Sequence, residues 1–104
     1  MSGRDEATTG GAPAPKFLMT YRAVDDFMPL ALEHGPAHVA RLQEFRERGL
    51  ALMAGPLGEP FNGDAMGVFT TREAAEEFIA GDPFVRHGVV ASWTVRPWSE
   101  VLAP

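Results

Sequence analysis

Cysteine is absent from this 104-residue chain. Neither a disulfide nor a thiolate nucleophile can therefore take part in how it folds or works. Long apolar runs are missing as well: no stretch approaches the roughly 20 residues that span a bilayer. The N-terminus also lacks the basic patch and apolar stretch of a signal peptide. Positive charge is scarce and scattered. Nine Lys and Arg stand against fourteen Asp and Glu, a formal net charge of −5. Nucleic-acid binding needs clustered cations to displace counterions, so that class of partner is not expected. What remains is a soluble, cytoplasmic protein with no membrane and no nucleic acid among its partners.

What is present suffices for one domain with a modest core. Residues 1–15 are rich in Gly, Ala, Thr and Pro and hold almost no large apolar side chain, so they read as a disordered tail. The domain then runs over 16–104. Phe17 to Arg22 alternates, with Phe17, Met19 and Tyr21 on one face and Leu18 and Thr20 on the other, as a strand does. Ala23 to Gly35 reads as a loop. Pro36 suits the first turn of a helix, where its missing N–H is not needed, and Gly49 suits its end. Val39, Leu42 and Phe45 form the core stripe of that helix. A second strand over 50–55 leads through Gly58, Pro60 and the Asn62-Gly63 turn into a third over 65–69. Thr70 and Glu73 suggest a capping box for a second helix that buries Ala74, Ala75, Phe78 and Ile79. Asp82-Pro83 then opens a short extra turn, and Val89 to Arg96 is the last strand.

The order β-α-β-β-α-β predicts an α+β, ferredoxin-like sandwich: a four-stranded antiparallel sheet with two helices on one face. The last strand carries large apolar groups on both sides, Val89, Trp93 and Val95 on one and Val90 and Trp98 on the other. Two helices cover only one face, so the other is expected to pack against a second copy in a homodimer.

This topology brings the start of the first helix and the end of the second to the same edge of the sheet. His38 lies in the former and Asp82 just past the latter. Gly55, Pro56, Arg22, Asp25 and Asp26 gather at that edge too. A half-buried imidazole beside a carboxylate can be held in one tautomer and can move a proton near neutral pH. The bland alternative is that His38 is a helix-start histidine and Asp82 an N-cap.

Several segments resemble the YCII-like (YciI-related) family. They are Gly35-Pro36-Ala37-His38-Val39-Ala40-Arg41-Leu42; Gly49-Leu50 with Ala54-Gly55-Pro56; Glu73-Ala74-Ala75 with Phe78; Asp82-Pro83-Phe84 through Gly88-Val89; and Trp93-Thr94-Val95-Arg96-Pro97-Trp98. Their order and spacing span nearly all of residues 16 to 98. The resemblance implies a fold of the dimeric α+β-barrel kind and a site centred on a His/Asp pair, which by position falls on His38 and Asp82. It implies proton-transfer eliminations or isomerisations on small, often cyclic, organic molecules, and no metal or organic cofactor. Family members often carry an arginine shortly before the histidine. Here Gly35 takes that place, with His34 beside it and Arg22 or Arg41 as the cations that could stand in.

His34 and His38 would suit a metal pair on one helix, but Pro36 between them argues that His34 lies outside it, and no third ligand is well placed except Asp82 or Asp25. A metal site is therefore not expected. The Gly-rich stretch 55–63 lacks the strand-to-helix setting of a phosphate loop. Three readings of function follow. The leading one is a small acid/base enzyme of lyase or isomerase type, with His38 and Asp82 catalytic and Arg22, Gly55, Pro56 and His34 binding substrate. The others are a non-catalytic small-molecule binding module and a structural or accessory homodimer.

Overall fold

The computed structural model describes residues 14–104; the tail expected over 1–15 lies, apart from its last two residues, outside them. Four strands are formed: β1 (Lys16–Ala23), β2 (Ala51–Pro56), β3 (Ala65–Phe69) and β4 (Val90–Trp98). All their pairings are antiparallel, in the order β2-β3-β1-β4. Helix α1 (Met28–Glu47) connects β1 to β2, while α2 (Arg72–Gly81) and the single turn α3 (Pro83–Arg86) connect β3 to β4. This is the ferredoxin-like order expected from the sequence, with the Asp82-Pro83 turn as a short third helix. Among the described residues no helix is long and apolar enough to cross a membrane.

The first helix begins eight residues earlier than the sequence suggests. Met28 and Pro29 open it, and Pro36 lies inside it. Pro29 supplies the first-turn proline, and the Ala31 amide donates to the Phe27 carbonyl at 2.9 Å to start the ladder. Pro36 cannot donate to the carbonyl of Leu32 four residues back. Leu32 is 73 % exposed, so water can satisfy that carbonyl and the helix continues. His34 is consequently helical, contrary to the sequence expectation.

Two smaller differences have equally local causes. Thr70 does not cap α2, because its backbone amide and hydroxyl both bond to the Leu50 carbonyl. Thr71 caps instead, its hydroxyl accepting from the Ala74 amide at 3.0 Å. In β4, Ala23 faces Val90 while Arg22 faces Ser92, so one extra residue is accommodated there. That irregularity turns Val90 into the core rather than onto the outer face.

The core lies between the sheet and the helices, with Met19 and Tyr21 of β1, Phe69 of β3, Phe45 of α1 and Ala75, Phe78 and Ile79 of α2. Phe45 meets Phe78 edge to face, their centroids 5.3 Å apart. Arg41 fastens α1 to the end of α2: Nε donates to the Phe78 carbonyl at 3.1 Å and Nη2 to the Glu77 carbonyl at 2.8 Å. The Phe78 carbonyl is one that the helix terminus leaves without its usual partner, since the Asp82 amide donates to Ile79 instead. The guanidinium passes so close to Gly81 that a Cβ there would lie 2.5 Å from Nη2. This packing fixes Asp82, the next residue, relative to α1.

Candidate active site

Asp82 stands at a junction, closing α2 and opening α3. Its side chain is fully buried. A buried carboxylate is tolerated only when donors surround it, and three do so. The Tyr21 hydroxyl donates to Oδ2 at 2.7 Å. The Phe84 amide donates to Oδ1 at 3.1 Å, as an N-cap requires. His38 Nδ1 lies 2.8 Å from the same oxygen. An ionised carboxylate only accepts, so Nδ1 carries the proton and Nε2 of the neutral ring keeps a lone pair.

His38 is held in other directions too. Its ring stacks on Phe84, centroids 3.9 Å apart and planes within 6°, and meets Phe78 edge on at 6.1 Å. Its side chain is 16 % exposed. The ring therefore has one accessible side, which forms part of the wall of a cavity of about 640 Å³.

The cavity lies between α1 and the sheet. Gly35, Pro36, His38, Val39 and Leu42 line it from α1, Met19 and Tyr21 from β1, and Ala54, Gly55 and Pro56 from β2. Val39 and Leu42, read from sequence as core, are thus cavity wall; Val39 is 49 % exposed. Phe61 and Gly63 of the 57–64 connection also line it, and Phe61 packs edge to face on Phe27 at 5.4 Å. No Arg, Lys, Asp or Glu is in direct contact with it among the described residues. Tyr21 and His38 are its polar side chains.

Of the residues singled out from sequence, His38 and Asp82 are joined by a hydrogen bond, and Gly55 and Pro56 border the same cavity. His34 does not border it. Its ring stacks on that of His87, which is exposed, with centroids 3.9 Å apart and planes within 3°. Arg22 is also elsewhere. Strand alternation puts Tyr21 on the helix side and Arg22 on the opposite face, where it borders a separate depression with Thr20, Ser92 and Thr94. No group of three or more His, Asp or Glu suited to a metal ion occurs among the described residues.

Tyr21 and Phe84 were not singled out from sequence as site residues. A signal for Tyr21 was available: a tyrosine on the buried face of a strand needs an acceptor for its hydroxyl. Burial, then the negative charge of Asp82 and the hydrogen bond to it, push the Tyr21 phenol far above its ordinary value, with Arg41 opposing. The phenol is therefore a permanent donor to Asp82. Phe84 gave no comparable signal, because a stacking partner depends on tertiary placement.

Comparison with known proteins agrees with this architecture. The YCII-related domain matches residues 16–99. Protein YciI of Escherichia coli O6:H1 is 34 % identical over 87 residues, covering 74 % of this chain and 89 % of that protein. Protein YciI of Shigella flexneri matches to the same extent. Among solved structures, the fold is shared with 5-chloro-2-hydroxyhydroquinone dehydrochlorinase (TftG) of Burkholderia phenoliruptrix AC1100, in complex with 2,5-dihydroxybenzoquinone. That likeness has a TM-score of 0.68 at 17 % identity and covers 82 % of this chain and 94 % of that one. Protein Atu4242 of Agrobacterium tumefaciens gives a TM-score of 0.53 at 11 % identity, covering 84 % and 93 %.

Proposed function

The chain belongs to the YCII-related domain family, and from that premise we propose that it is a small acid/base enzyme of lyase or isomerase type acting on a neutral cyclic molecule. The observation that carries this reading is the hydrogen bond from His38 Nδ1 to the fully buried Asp82 at the wall of an apolar cavity. His38 is the general base. Nε2 takes a proton from the bound ring, and the C–H electron pair either expels a leaving group from the neighbouring carbon or shifts into a conjugated system. In the second case the same imidazolium returns the proton at another carbon. Asp82 offsets the positive charge that the imidazole gains in between, and it holds the ring in the reactive tautomer.

The cavity wall argues for the substrate class. An unpaired carboxylate or phosphate would have to leave water with no cation to meet it, at a cost of several kcal/mol. A neutral ring would instead gain from burial against Met19, Leu42, Phe78 and Phe84. TftG, which shares the fold, is a dehydrochlorinase, and an elimination of that kind is within reach of a single positioned base. Gly55 and Pro56 are part of the binding wall. The protein works as a cytoplasmic homodimer that packs the outer faces of two sheets together.

Proton abstraction can be tested before the natural substrate is known. Cyclic ketones, quinols and chlorinated quinols are incubated with the protein in D2O, and proton exchange and chloride release are followed by NMR and ion chromatography. Catalysis by the parent and a loss of about 10²-fold or more in His38→Gln and Asp82→Asn, with unchanged circular dichroism, is the expected result. A parent that accelerates nothing, with variants that differ only in melting temperature, would assign the pair to bracing helix ends.

A further inference from the structure

Gly35 lies well inside α1, where glycine lowers helix stability relative to alanine because it has more backbone freedom to lose. Nothing in the backbone asks for it. Its φ is not in the left-handed region, and an added Cβ would meet no atom within 4 Å. Other glycines have local reasons: Gly81 makes room for Arg41, and Gly67 has the Phe69 ring 3.2 Å from where its Cβ would be. Gly55 also borders the cavity and has open space. However, Ala54 points to the helix side, 3.7 Å from the Cβ position of Gly67, so a side chain on Gly55 would point to the outer face.

Gly35 differs in where its empty space lies. His38, Val39 and Leu42, at three, four and seven residues further on, line the cavity with it. That spacing is one face of a helix, so a side chain at 35 would enter the cavity. Helical side chains lean towards the N-terminus, which directs it towards the part of the wall formed by Phe61 and Gly63, both of which lie against Phe27 just before α1. That part contributes no charged group to the wall.

We infer that Gly35 determines the length of ligand the cavity admits: a neutral ring against His38 carries an apolar substituent that passes over Gly35 towards Phe61. This rests on reading the cavity as a ligand site, as above, and adds the shape of the ligand. Glycine here costs helix stability but leaves open the place of the substituent, which any larger residue would occupy.

Equilibrium binding tests it with neutral probes: N-phenylnaphthylamine fluorescence, displaced by phenol or by para-butylphenol, in the parent, Gly35→Ala and Gly35→Leu. The parent should prefer para-butylphenol to phenol. Gly35→Leu should lose about tenfold in affinity for para-butylphenol, as expected for an obstructed butyl group, while phenol changes less than about twofold. Gly35→Ala, a better helix former, should melt higher and lose a smaller part of the preference, which keeps the test valid if the leucine variant folds poorly. A parent that binds none of these probes overturns both the ligand-site reading and this inference. A parent that binds both phenols, with variants that keep the preference intact, overturns this inference alone.

Discussion

His38 Nδ1 and Asp82 Oδ1 meet at 2.8 Å although 44 positions separate them in the chain. The imidazole projects from the middle of α1, and the carboxylate sits where α2 gives way to α3. Asp82 simultaneously caps α3 and accepts from Tyr21. One carboxylate thus serves the fold and the site, and substitutions can separate the two roles.

Asp82→Ala should be strongly destabilising, and Asp82→Asn much less so. Alanine removes the α3 cap and strands the Tyr21 hydroxyl and the His38 N–H in a buried place, each worth about 1–3 kcal/mol. Asparagine keeps the shape and one acceptor oxygen. Urea unfolding should place the alanine variant about 3 kcal/mol below the parent and the asparagine variant nearer to it. Equal losses for the two would mean that the carboxylate's hydrogen bonds contribute little to the fold.

Tyr21 makes the stability sensitive to alkaline pH. Its phenol ionises far above 10.0 in the folded protein, because burial and the Asp82 charge oppose a second anion there. The folded state therefore keeps a proton that the unfolded state gives up. The sign follows: this contribution is fully present below about pH 10 and is lost as pH rises beyond it. The sequence has a single tyrosine, so tyrosinate absorbance reports this group alone. It should appear together with the loss of tertiary circular dichroism. In Tyr21→Phe, weaker at neutral pH by roughly 1–2 kcal/mol, the alkaline decline should be shallower. Tyrosinate formation well before unfolding would contradict this account.

Much of this was readable from the sequence because it depends on local pattern. The alternation of β1, the buried face Ala74, Ala75, Phe78 and Ile79 of α2, and the Asp82-Pro83 cap are all set by residues within a few positions of one another. Topology brings His38 towards Asp82, but the contact is made from the middle of α1 and not from its first turn, where Pro36 suggests His38 should lie. The failures lie where a distant part of the chain decides. Pro36 looked like a helix start because the tolerance for an interior proline came from solvent at Leu32. Strict alternation puts Val90 on the same face as Trp98; the irregularity that turns it into the core is a property of the β1–β4 pairing. Arg22 was gathered into the site by its strand's end, but alternation places it on the other face. The cavity itself was not legible, since Val39 and Leu42 carry the same apolar signal whether they pack against protein or line a space.

The Arg41–Gly81 contact should show strong non-additivity. In Gly81→Ala the new methyl would lie 2.5 Å from Nη2. The arginine is flexible, so it will swing away and release the carbonyls of Glu77 and Phe78 rather than deform the backbone. A loss of about 1–3 kcal/mol follows from those charge-assisted bonds. In an Arg41→Ala background the three atoms nearest to the new methyl are gone, and alanine is the better helix former, so the change should be neutral or slightly stabilising. A double-mutant cycle by thermal melting measures the difference. Additive effects would mean that Gly81 is required for another reason.

The outer face of the sheet provides the test of the homodimer. Leu18, Val68 and Met53 stand in one cross-strand row on the side away from the helices, and Lys16 pairs with Trp98 on the same side. Met53 is 58 % exposed and Trp98 39 %. A stable interface removes roughly 800 Å² per partner from water; Val68 is already buried within the chain, so Met53, Trp98 and their exposed neighbours would have to supply it. Met53→Asp would place a carboxylate in the middle of that contact, where desolvation is costly. In a single chain it would merely exchange an exposed apolar group for a solvated one. Sedimentation velocity at micromolar concentration should show a dimeric parent and a largely monomeric variant, with the far-ultraviolet spectrum unchanged. A parent that sediments as a monomer would remove the dimer. A variant that stays dimeric would move the interface to another surface, because a charge at that position could not be tolerated within this one.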